Sequence, residues 1–85
     1  MEFENIDSND KKRFRLNYGV KIKSITNENL KAYETELLGN IILSIDNIKA
    51  TDIETVAKQL NNKEENQSIR IEMINQNGEI FRIII

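Results

Sequence analysis

A small α+β domain on an antiparallel sheet is the fold class this sequence predicts, and three observations predict it. Short stretches of strand periodicity at residues 20–25, 69–73 and 80–85, and an apolar run of strand length at 41–45, recur along the chain. An amphipathic helical pattern, Ile53, Val56, Ala57 and Leu60 at i, i+3, i+4 and i+7, falls between the first two and the last two of these stretches in chain order. Asn77-Gly78 then joins the last two as a hairpin, so those two strands run antiparallel. The expected architecture is a partly open antiparallel barrel or sandwich with two to three short helices.

Taken in order, Phe3-Glu4-Asn5-Ile6 reads as a short edge strand. Asp7-Ser8-Asn9-Asp10 is a run of cap formers ahead of a helical turn over residues 11–16, with Ser8 or Asn9 as the expected cap. Asn17-Tyr18-Gly19 ends that helix, and Val20, Ile22 and Ile25 alternate with Lys21 and Lys23 in a half-buried strand. Residues 26–29 form a turn or cap, and 30–37 can hold a short helix. Ile41-Ile42-Leu43-Ser44-Ile45 is an apolar strand that runs into the tight-turn pair Asp46-Asn47. Thr51-Asp52-Ile53-Glu54 has capping-box spacing, with Thr51 as cap and Glu54 reaching back. The helix gives way to a polar loop at 61–66, and the hairpin closes the chain.

Composition narrows the function. The 85 residues make one domain with one modest core, and a chain of this size buries about 60–65% of its unfolded surface. There is no His and no Cys, which removes Ser-His-Asp and Cys-His nucleophile systems and the usual zinc and iron–sulfur sites. Twelve basic and 14 acidic residues leave a net charge of −2, with no broad field of one sign for nucleic acid or anionic lipid. The four basic side chains at 11–15 are offset by Glu2, Glu4, Asp7 and Asp10 nearby. Glu34/Glu36 and Glu64/Glu65 read as exposed charge rather than catalytic pairs, and neither has calcium-loop spacing. No apolar run nears the ~20 residues that span a bilayer.

Three segments carry a resemblance. Tyr18-Gly19-Val20-Lys21-Ile22 resembles the carboxylate-binding loop and following strand of PDZ domains. Leu38-Gly39-Asn40-Ile41-Ile42-Leu43-Ser44-Ile45-Asp46-Asn47 resembles that family's Gly-Asp-x-Ile-x-x-x-Asn-Gly segment, with Asn40 in place of Asp and Asp46-Asn47 in place of Asn-Gly. Residues 50–60 are similar to the helix that flanks the family's groove. The order of elements resembles the circularly permuted PDZ domains of bacterial HtrA/Deg serine proteases, the second, C-terminal one above all.

The resemblance implies a single PDZ-like domain over residues 1–85, cut from a longer protease. It implies a non-catalytic binding module without cofactor or metal, whose parent is a serine endopeptidase of protein quality control in the periplasm or cell envelope. The implied partners are C-terminal or extended segments of unfolded substrate proteins, added as a strand. Alternatively, the module mediates contacts between protease subunits and binds little peptide of its own. Tyr18, Gly19 and Val20 would hold the ligand's carboxylate. Lys21, Ile22 and Lys23 would pair with its backbone, and Ile53, Ala57 and Leu60 would line its side-chain pocket, with Val56 inward.

Overall fold

The computed structural model describes residues 2–26, 31–62 and 67–84. Among them six strands and three short helices follow one another as β1 (Glu2–Asn5), α1 (Ser8–Phe14), β2 (Val20–Ser24), α2 (Glu34–Leu37), β3 (Ile41–Ile45), β4 (Ile48–Lys49), α3 (Ile53–Asn61), β5 (Arg70–Ile74) and β6 (Ile80–Ile84). All strands join one antiparallel sheet in the order β1-β2-β3-β5-β6, with β4 hanging off β3. This is an α+β domain, as expected, but the sheet does not close: β1 and β6 are its two ends. The expected start of α2 near Leu30, the 27–29 cap and the Glu64/Glu65 pair lie outside the described residues.

Burial explains why β3 is apolar at every position but Ser44 rather than alternating. Both faces of the sheet are covered where it runs, so Ile41, Ile42, Leu43 and Ile45 are all buried. The larger core joins Val20, Ile22, Ile42, Ile45, Ile71 and Met73 with Val56 of α3. The smaller, on the opposite face, holds Ile6, Ile41, Leu43 and Ile74, with Phe14 of α1, Leu16 and Tyr18 packed against it. A strict period of two would send Ile42 and Ile45 to opposite faces. The register of β3 on β5 instead shifts between Ile42 and Ser44, and this irregularity lets Ile42 and Ile45 share the larger core while Leu43 enters the smaller.

Two turns follow from left-handed backbone. Asp46 and Asn47 both have positive φ (49° and 69°), the requirement of a type I′ turn, and they set Ile45 against Ile48. In the last hairpin only Gly78 is left-handed (φ 83°). Its amide donates to Asn75 O (3.0 Å), and Asn75 Oδ1 accepts from the amides of Asn77 (3.0 Å) and Glu79 (2.9 Å). The Asn-Gly pair thus serves a longer turn ending in a glycine bulge, not a two-residue loop.

Both helix caps sit one residue from their expected places. Asp7, rather than Ser8 or Asn9, caps α1 in a reciprocal box with Asp10: Asp10 N–H donates to Asp7 Oδ1 (2.8 Å) and Asp7 N–H to Asp10 Oδ2 (3.3 Å). Asp52, rather than Thr51, caps α3 by accepting from Thr55 N–H (2.7 Å). A carboxylate is the stronger acceptor where two adjacent residues compete for one orphan amide.

Candidate functional site

β2 is an interior strand. On one side it pairs with β1, Phe3 opposite Ile22, Glu4 opposite Lys21 and Asn5 opposite Val20. On the other it pairs with β3, Val20 opposite Ile42 and Lys21 opposite Ile41, and the Ile22 amide donates to Asn40 O (2.9 Å). The expectation that Lys21, Ile22 and Lys23 receive an added strand is therefore corrected. The chain's own segment Glu2–Asn5 already lies along that edge. The missing signal is pairing partner: the β1 stretch is legible as a strand, but nothing local says which strand it will lie against.

The expected carboxylate loop is likewise interior. Gly19 and Val20 are buried, and Tyr18 packs on the smaller core with Lys49 Nζ 4.2 Å from its ring centroid. Gly19 has φ 139°, and a Cβ there would stand 2.6 Å from Ile41 Cγ2. Its glycine serves close approach of the backbone to β3, not room for a ligand's oxygens. Lys21 puts its Nζ 2.7 Å from Asp10 Oδ2 on α1. Burial acts to raise the Asp10 carboxyl, but the hydrogen bonds from Lys21 and the Asp7 amide outweigh it and hold the group below its usual value. Lys23 is exposed beside the register shift in β1.

The α3 residues are disposed differently. Val56 is fully buried, while Ile53, Ala57 and Leu60 are half-buried on the flanks of the helix. Ile53, Leu60 and Phe3 of β1 all pack against the larger core, and α3 is the helix that lies beside β1. The sheet therefore ends in a strand whose outer edge pairs with nothing among the described residues and has an amphipathic helix alongside. The Thr55 amide holds the Asp52 carboxyl at the start of that helix below its usual value. Glu2 and Glu4 are exposed on β1.

Among the described residues no group of three His, Cys, Asp or Glu side chains is placed to hold a metal. A shallow depression of about 250 Å³ lies between Ser44, Arg70, Glu72, Arg82 and Ile84. Glu72 and Arg82 are tied to each other there (Nε–Oε2 3.0 Å), and Ser44 has no histidine to activate it. Comparison with known proteins finds nothing similar: no family model, no curated protein and no solved structure matches this chain.

Proposed function

We propose that this chain is a PDZ-like peptide-binding module that adds an extended segment of another protein to the outer edge of β1, beside α3. The observation that supports this is the pairing of an unfilled sheet edge with a half-buried apolar helix face in one place. The edge supplies backbone N–H and C=O groups for a ladder, and Ile53, Ala57 and Leu60 supply apolar contact for alternate side chains of the ligand. The reading keeps the helix residues expected from sequence and moves the strand from β2 to β1. A ligand chain of a few residues on so short an edge binds weakly, with Kd of about 1–100 μM. Service to an HtrA/Deg-type serine protease of the cell envelope belongs to the same proposal; it rests on the resemblance of residues 38–47 and 50–60.

The test is an NMR titration with a library of short peptides, each with a free and an amidated C-terminus. Shifts that saturate at Glu2–Asn5 and along α3 are expected, and Ala57→Glu should weaken them at least about tenfold by placing a charge in the apolar contact. Loss on amidation would assign recognition of a terminal carboxylate. Absence of binding across the library, or shifts confined to other elements, would overturn the reading.

A further inference from the structure

The opposite end of the sheet has a different character. β6 pairs with β5 without any register shift, and no second strand pairs with its outer edge among the described residues. Ile80 and Ile84 are 62% and 68% exposed, the largest values among the bulky apolar side chains of the described residues. No proline, lysine or bulge blunts the strand. Its single charge, Arg82, is held by Glu72 of the neighbouring strand (3.0 Å).

The hairpin determines which backbone groups are free. Asn75 N–H donates to Glu79 O (2.9 Å), so Asn75 and Glu79 form a hydrogen-bonded pair. Such pairs alternate along an antiparallel ladder, so Met73–Phe81 and Ile71–Ile83 are the next two. The N–H and C=O groups of Ile80, Arg82 and Ile84 therefore point outward, away from β5. Their side chains share one face, since Ile80 stands opposite Ile74, Arg82 opposite Glu72 and Ile84 opposite Arg70.

We infer that β6 pairs with β6 of a second copy of this chain, antiparallel about a twofold axis at Arg82. In that register Ile80 stands opposite Ile84 of the second copy, Phe81 opposite its Ile83, and all outward backbone groups of the three residues find partners. Apolar meets apolar on both faces. The charges crossing the axis run Glu72, Arg82, Arg82 of the second copy and its Glu72, and they sum to zero. The strand is thus complementary to itself, which favours a second copy over an unrelated strand. Five residues cover far less than the ~1,000 Å² of a stable interface, so the dimer is weak, with Kd on the order of 0.1–1 mM. This inference concerns the edge remote from β1 and stands apart from peptide capture.

Sedimentation over about 10 μM to about 1 mM tests it, with NMR locating the contact. The expected result is a concentration-dependent monomer–dimer equilibrium with shifts at β6. Ile80→Glu and Ile84→Lys, both at exposed positions and checked for an unchanged melting curve, should each weaken self-association at least about tenfold. Mixed in equal amounts the two variants should associate again, because the carboxylate introduced in one copy then faces the ammonium introduced in the other. A chain monomeric throughout the range would overturn the inference. So would a dimer indifferent to both variants, or β6 shifts produced only by added peptide. Failure of the mixture to associate would overturn the register.

Discussion

On the face that α3 covers, Val20, Ile22, Ile42, Ile45, Ile71 and Met73 meet without a charged group in their buried cluster. On the other face the buried apolar cluster among the described residues is smaller, Ile6, Ile41, Leu43 and Ile74, and much of the remaining attachment is polar. Asp10 of α1 reaches Lys21 of β2 at 2.7 Å. Arg13 donates to Gln76 Oε1 (3.0 Å) and to Gln76 O, and Gln76 Nε2 donates to Gly39 O, which links α1, the last turn and the entry to β3. The first face is held by aliphatic volume, which tolerates pH and depends on every methylene. The second is held by a close backbone approach at Gly19 and by charge, so it depends on shape at one point and on protonation at another.

Five substitutions sharpen or break this contrast. Gly19→Val should have the largest effect, a loss of about 4 kcal/mol or more, because a left-handed backbone and a 2.6 Å contact with Ile41 must both be relieved. A folded variant with an unchanged urea midpoint would mean that the smaller face is loosely packed. Ile42→Ala, in the larger core, should cost about 3–4 kcal/mol in the same assay, much of the total for a domain of this size. Leu43→Ala on the other face should cost less, about 2–3 kcal/mol; equal losses would erase the distinction between the faces.

Lys21→Met should follow, at about 1–3 kcal/mol near neutral pH, because it strands the Asp10 carboxylate at a buried site. The pH dependence has a definite sign. Folding lowers the Asp10 carboxyl below its ordinary 3.8, so its contribution is present above that value and is lost as pH falls through the lowered folded one. In Lys21→Met the burial that raises the carboxyl is no longer outweighed by the ammonium, and the acid limb of a stability–pH curve should move upward. An unmoved limb would assign acid sensitivity elsewhere. Asp52→Ala should give the smallest change, a slight lowering of the melting temperature with fraying confined to the first turn of α3, read by amide exchange. Protection lost throughout α3 would show that the cap, rather than Val56, anchors the helix.

Much of the fold is legible along the chain, and the misreadings share a cause. The strand at 41–45, the turn at Asp46-Asn47, the helix carrying Val56 and the final hairpin all lie where periodicity and turn chemistry put them. The helix starts differ by one residue because neighbouring Thr, Ser and Asp side chains are all competent caps and only the folded geometry selects one. In sequence Gly19 reads as room for a ligand, yet it is room for Ile41, a residue 22 positions away. The burial of Val56 and the half-burial of Ile53, Ala57 and Leu60 follow from a 3.6-residue period. The pairing of β2 with β1 follows from no local period.

The order of elements and their apolar faces are written in residues close together in the chain, and the absence of histidine and cysteine is written in its composition. Which edges of the sheet stay unfilled is a property of pairing between distant segments. β1 reads as a strand in isolation, but only the tertiary structure laid it along β2, closed that edge and left β1 and β6 as the two ends. The reason is physical: backbone hydrogen bonds are alike for every residue, so partner choice is made by the burial of whole faces at once.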